Sequence, residues 1–227
     1  MNRKALKAAF PKTIPILTSF CFLGLAYGFY MRSKGFSFLY PMMMSITVFG
    51  GSLEFLMVSM LGAAFAPLQT FLMALMVQAR HLFYGLAMLE KYKGTGKKKF
   101  YLIYGMCDES FSINCSADIP DDVDKGRFML WVTILDHAYW VTFSTLGALI
   151  GSVVTFDTTG IEFVMTALFT VIFIDEWQKH KIHKSELIGL TGAVICLIIF
   201  GSEHFLLPTM ACILVLLLVT RKAGEAA

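Results

Sequence analysis

Arg80 stands inside an apolar run, Pro67 to Leu89, built almost entirely of Leu, Met, Ala, Phe and Val. At 1.5 Å of rise per residue, a helix there leaves the arginine about 13 Å from one end and about 20 Å from the other. Its stem is too short to carry the guanidinium to the nearer end. A cation at that depth needs a carboxylate partner or a water-lined cavity, and in a membrane segment it marks a functional site by default. The stretch QARHLFYG, Gln78 to Gly85, places Gln78 and His81 on one helical face and Arg80 and Tyr84 on a neighbouring one. The competing reading is an arginine–carboxylate pair that only locks two helices together.

Two further stretches carry chemistry. In FGGSLEF, Phe49 to Phe55, Gly50 and Gly51 are followed by Ser52. Each glycine weakens a helix by roughly 1 kcal/mol relative to alanine. Together they bare backbone groups that could contact a ligand, and such backbone survives at membrane depth only when buried in protein or lining a cavity. Glu54 lies one turn after Gly50, on the same side. It is a candidate proton-coupling group; the bland alternative is a carboxyl that keeps its proton and acts only as a hydrogen-bond donor. In CDESF, Cys107 to Phe111, the adjacent Asp108 and Glu109 point to different faces of any helix. One can pair with Arg80 while the other titrates. Asp136 and His137 form a polar step in a later run, and Asp175 with Glu176 reads as a solvated interfacial pair.

The elements that must hold these residues are apolar. Hydrophobic residues make up 57% of the 227, charged residues only 15%, and the mean hydropathy is +0.68. A soluble domain of this length could not hide so much apolar surface in one core. The small net charge of +3 comes from cations clustered between apolar runs, which suits lipid headgroups and not nucleic acid. Charge and turn clusters mark off runs at Ile14 to Met31, Phe36 to Leu61, Pro67 to Leu89, Phe128 to Phe156, Ile161 to Trp177, Leu187 to Gly201 and Leu206 to Thr220. Each approaches the length of a bilayer crossing. Phe100 to Ala117 also qualifies by length, but its two acids would each cost roughly 3 kcal/mol at the centre of an inserting helix, so a re-entrant or interfacial segment is expected.

The expected fold is all-α: a polytopic integral membrane protein of about seven transmembrane helices, with one or two broken or re-entrant segments, forming one domain over 1–227. With seven spans the Lys and Arg residues divide 14 against 4, which puts the N-terminus outside; with eight the division is 11 against 7 and both ends are cytoplasmic. The GxxxG pairs Gly24/Gly28 and Gly147/Gly151 allow close helix approach. The five cysteines are odd in number, lack any CxxC spacing and read as reduced packing residues. No HExxH, GxSxG, P-loop or magnesium-type Asp cluster is present, so neither enzyme, metal nor cofactor is expected. A glycine-broken span with buried ions is the pattern of a secondary transporter site.

In order and spacing, FGGSLEF, ARHLFYG, DESF and IEFVMTALF (Ile161 to Phe169) resemble the AzlC family of branched-chain amino acid permeases over nearly the whole chain. The resemblance implies a multi-pass protein of the bacterial or archaeal inner membrane. It implies export of small hydrophobic amino acids, branched-chain ones and in some relatives methionine, with a small AzlD-like membrane subunit as partner. The small-residue faces at Gly24/Gly28 and Gly147/Gly151 are the expected docking surfaces for that subunit. Carried over by residue, it marks Gly50, Gly51, Ser52, Arg80, His81, Tyr84, Asp108, Glu109 and Phe111. Relatives often carry Gln where this chain has Glu54, so a titratable group there bears on proton coupling. The expected substrate and ion pathway is therefore Gly50, Gly51, Ser52, Glu54, Arg80, His81, Tyr84, Asp108 and Glu109, and proton-driven export is the expected function. The rivals are an importer or channel for another small solute, and a membrane scaffold that transports nothing.

Overall fold

The computed structural model describes residues 3–62, 67–120, 122–153 and 184–204, with single residues and pairs between 163 and 178 and between 208 and 216. All regular structure among them is helical: α1 (Arg3–Ser33), α2 (Leu39–Thr47), α3 (Gly51–Leu61), α4 (Pro67–Val77), α5 (Ala79–Met88), α6 (Lys98–Tyr104), α7 (Asp108–Ser116), α8 (Lys125–Val153) and α9 (Lys184–His204). The chain forms two compact units, Met1–Met165 and Thr166–Ala227, each described by itself. Asp175, Glu176, most of IEFVMTALF and most of the run from Leu206 lie outside the described residues.

Three apolar runs are divided, where one or two were expected. Phe36 to Leu61 becomes α2 and α3, Pro67 to Leu89 becomes α4 and α5, and Phe100 to Ala117 becomes α6 and α7. Each division falls where the backbone leaves the helical region or a glycine ends the helix. At the first, Phe49 has φ 45°, in the left-handed region that costs an L-residue about 1–2 kcal/mol. At the second, Gln78 leaves the helical region, with φ −96° and ψ 7°. At the third, Gly105 ends α6 and a capping box formed by Cys107 and Ser110 starts α7. Among the described residues only α1 is at once long and apolar enough to cross a membrane as one helix.

The frame of the first unit is the α1–α8 pair, and glycine lets these helices touch. A Cβ at Gly28 would run into the Ser144 carbonyl and the Ala148 nitrogen, and one at Gly147 into the backbone of Leu25. At Gly24 it would lie 2.8 Å from Phe143 Cβ, and at Gly151 3.0 Å from Phe29 Cδ1. Both GxxxG pairs are thus consumed inside the chain, which corrects the expectation that they present docking surfaces to a partner. Two buried clusters flank the crossing. One gathers Met88, Tyr92, Leu102, Met106, Phe128 and Met129; the other gathers Phe20, Tyr27, Phe49, Phe55, Val58 and Trp140. On α4 and α5, Leu68, Phe71 and Phe83 are exposed apolar side chains, and Leu75, Leu82 and Leu86 are exposed toward a cavity that α6 also lines. In the second unit α9 turns at Gly201, whose φ of 71° only glycine adopts freely.

Candidate functional site

Where α2 ends, the Phe49 ring packs on His137 of α8, with centroids 4.4 Å apart. His137 holds the same break from a second side: Nε2 lies 3.1 Å from the Ser45 carbonyl oxygen, while Nδ1 lies 2.8 Å from the Tyr101 hydroxyl. Gly50 then leaves a free N–H at the start of α3. Glu54 answers it: Oε1 accepts from Gly50 N at 3.1 Å and from Trp140 Nε1 at 2.9 Å. The carboxyl is fully buried. The indole covers Gly51, whose Cβ would sit 3.3 Å from its ring, and is itself held edge-on by Phe20 and face-on by Tyr27.

The other oxygen of Glu54 starts a line of three contacts. Oε2 lies 3.0 Å from Ser45 Oγ, Ser45 Oγ lies 2.7 Å from Ser144 Oγ, and Ser144 Oγ donates to the Trp140 carbonyl at 2.6 Å. Ser45 Oγ donates to Oε2, so Gly50 N, Trp140 Nε1 and Ser45 Oγ all turn donors on the carboxyl. A protonated Glu54 would offer the same groups as glutamine: an acceptor toward Gly50 and Trp140, a donor toward Ser45.

Ser52 faces away from Glu54, about 200° round α3, and belongs to a second cluster. Arg80 Nη2 lies 2.8 Å from Asp108 Oδ2 and donates to Ser52 Oγ at 3.3 Å. Of the two adjacent acids, Asp108 makes the pair. Both side chains are about one-third exposed (34% and 32%), so the arginine is less enclosed than the apolar run around it suggests. Tyr84 reaches the same carboxylate and stacks on Phe111 with centroids 4.3 Å apart and planes within 12°. His81 meets Tyr84 edge-on. Glu109 lies within electrostatic reach of Arg80 and Asp108. Arg80 Nε, Asp108 Oδ1 and His81 Nδ1 are buried without hydrogen-bond partners among the described residues.

The two breaks meet. A side chain at Gly50 would run into the Gln78 amide. Beside that contact lies a cavity of about 590 Å³, walled by Val48 and Phe49 of the first break, Leu75, Gln78, His81 and Gly85 of the second helix pair, and residues of α6. Its lining is mostly apolar, with Gln78 and His81 as polar points near the breaks and Tyr92, Lys99 and Tyr104 as further polar groups.

The nine residues expected as one pathway thus form two clusters on opposite sides of α3, and only His81 lines the cavity. Sequence reasoning missed Trp140, Ser45 and Ser144. One signal existed: Asp136, Trp140 and Ser144 recur every four residues, a polar stripe along an otherwise apolar α8.

A family model described as AzlC protein matches residues 15–154. A Bacillus subtilis (strain 168) protein named branched-chain amino acid transport protein AzlC is 55% identical over 223 residues, which span 98% of this chain and 88% of the relative. The chain belongs to the AzlC family. Relatives from Haemophilus influenzae (48% identical, over 91% of this chain and 85% of the relative) and Helicobacter pylori strain J99 (34%, over 98% and 97%) are named as uncharacterized membrane proteins. No solved structure matches. The AzlC match contains Glu54, Arg80, Asp108 and the whole cavity lining, and ends at the close of α8.

Proposed function

We propose that this AzlC-family chain is a secondary transporter that exports branched-chain amino acids, with methionine as a further substrate, across the cytoplasmic membrane at the expense of the proton gradient. The observation that carries this reading is the cavity where the two helix breaks meet. Its apolar walls suit a branched aliphatic side chain or a thioether, and a few polar groups at one end suit the ionic end of an amino acid. Interrupted helices supply such groups in secondary transporters, because freed backbone and polar side chains meet there at membrane depth. The name of the Bacillus relative agrees with this substrate class.

In this reading the whole of 1–227 works as one membrane domain of about seven spans with the N-terminus outside, and a small AzlD-type subunit completes it. Gly50, Gly51, Ser52, Arg80, His81, Tyr84, Asp108 and Glu109 border the route. The Arg80–Asp108–Ser52 contacts hold α3, α5 and α7 in one arrangement, and breaking them frees the route to open toward the other side. Glu54 keeps its proton and pins the first break to α8.

The test is counterflow in proteoliposomes holding this chain with its AzlD-type subunit. Labelled leucine should exchange against internal leucine, isoleucine, valine and methionine, and not against lysine or glutamate. Absence of exchange with all four hydrophobic amino acids would remove the proposal.

A further inference from the structure

Among the described residues of the first unit two carboxyls are completely buried, Glu54 and Asp136, and their surroundings are opposite. Glu54 has both oxygens bonded. Asp136 has neither: Oδ1 and Oδ2 both lack a hydrogen-bond partner among the described residues. A carboxylate left bare in such a place costs several kcal/mol in desolvation alone. It must hold something, and the residues around it do not provide it.

The neighbours narrow what that is. Asp136 sits near the middle of α8, on the stripe that continues to Trp140 and Ser144. The α6–α7 break lies against it: Gly105 leaves no room for a Cβ beside Thr133, three residues before Asp136 on α8. At the start of α7, Glu109 and Cys107 lie within electrostatic reach of Asp136. No cation is among the groups acting on it. Of the other titratable groups packed on α8, Tyr92 is buried in the cluster with Met129 and Val132, and the following are engaged elsewhere or exposed. Tyr101 and Tyr104 of α6 turn to His137, Tyr27 of α1 stacks on Trp140, and Glu54 of α3 bonds the same indole. On α2 the one such group, Tyr40, is exposed. Like charges on Asp136 and Glu109 oppose each other's ionisation, and a proton on the unpartnered Asp136 removes the cost.

We infer that Asp136 is the exchangeable proton site of this transporter. The inference rests on the transport reading above and replaces Glu54 as the coupling group. The link to the substrate side is short. Glu109 adjoins Asp108, which holds Arg80, which holds Ser52 on α3. While Asp136 keeps its proton, Asp108 holds the guanidinium. When the proton leaves, the new negative charge on α8 repels Glu109, which lies within reach of Arg80 and competes with Asp108 for it. The arginine then loosens from Ser52, and the break in the second helix pair is free to move. One proton released at α8 becomes one rearrangement beside the cavity.

The experiment compares the wild-type complex with Asp136→Asn and Asp136→Glu in proteoliposomes, with leucine counterflow and leucine accumulation under an imposed pH gradient measured in the same vesicles. The proposal expects Asp136→Asn to keep counterflow and lose pH-driven accumulation, by at least about tenfold, and Asp136→Glu to retain both. Wild-type counterflow without any response to pH, or accumulation that follows a sodium gradient instead, overturns the proton assignment while leaving transport intact. So does pH-driven accumulation in Asp136→Asn equal to wild type. No counterflow in the wild type overturns the transport reading and this one with it. If Asp136→Asn fails to assemble, infrared spectra of the complex with wild-type Asp136 and with Asp136→Glu decide: the carbonyl band of a protonated carboxyl must titrate with pH and shift between them, and an unshifted band overturns the assignment.

Discussion

Glu54 accepts a 2.9 Å hydrogen bond from the Trp140 indole, tying the first turn after a broken helix to the middle of α8. The same oxygen caps Gly50. A protonated carboxyl in this place offers the same hydrogen-bonding groups as glutamine. Glu54→Gln is therefore expected to keep pH-driven flux and to stay within about 1 kcal/mol of wild-type stability. Glu54→Leu strands the indole N–H and the Gly50 N–H, at about 1–3 kcal/mol each. Thermal unfolding in detergent, run beside the flux assay, checks both.

The α1–α8 crossing has no room for side chains at its glycines. Gly28→Val drives a branched Cβ into the backbone of Ser144 and Ala148, which neither helix can yield cheaply. The expected cost is about 1–3 kcal/mol, with lower membrane abundance. Gly189→Ala is the control: a Cβ there meets open space, and alanine favours the helix by a little under about 1 kcal/mol. A Gly28→Val protein as abundant and heat-stable as Gly189→Ala contradicts the crossing described.

Arg80 and Asp108 are a pair only one-third exposed, so losing one partner leaves a poorly solvated charge. Arg80→Ala is expected to cut leucine counterflow by at least about tenfold, the equivalent of roughly 1.4 kcal/mol. The exchanged pair Arg80→Asp with Asp108→Arg should recover part of it. Full activity of Arg80→Ala at normal abundance removes the role assigned to the pair.

At the start of α8, Asp124 Oδ1 accepts from Arg127 N at 2.7 Å, with Lys98 3.4 Å away. The Arg127 N–H first, and the Lys98 ammonium after it, hold this carboxyl below its usual range. A carboxyl depressed on folding stabilises above its unfolded value and loses that contribution as pH falls through the depressed one. The first turn of α8 should therefore exchange its amide hydrogens faster in acid, after correction for intrinsic rates. Asp124→Asn keeps a cap without the pH dependence, and Asp124→Ala frays at every pH, by about 1 kcal/mol.

Much of this was legible in the residues, for reasons that also mark where it was not. Gly50–Gly51 announced a break because two adjacent glycines weaken a helix at one point, and Arg80 announced a carboxylate because a buried guanidinium demands one. Gln78 gave no such warning: its departure from helix depends on Gly50 leaving space for its amide, a contact between distant segments. The Glu54 network hid for the same reason. Serine and tryptophan on α8 are ordinary in a membrane helix, and only the fold brings them to α3. The GxxxG pairs were read correctly as close contacts and assigned to the wrong partner, because spacing says that helices meet and not which ones.

The central claim is that the cavity beside the two breaks receives the substrate's side chain. Gly85 tests it most directly. It lines the cavity, a Cβ there meets nothing within 4 Å, and leucine is a better helix former than glycine. Gly85→Leu therefore fills the cavity without straining the fold. The account predicts a protein of wild-type abundance and stability that has lost leucine counterflow or raised its KM by about tenfold or more. Unchanged leucine counterflow in Gly85→Leu, in rate and in KM, would contradict it.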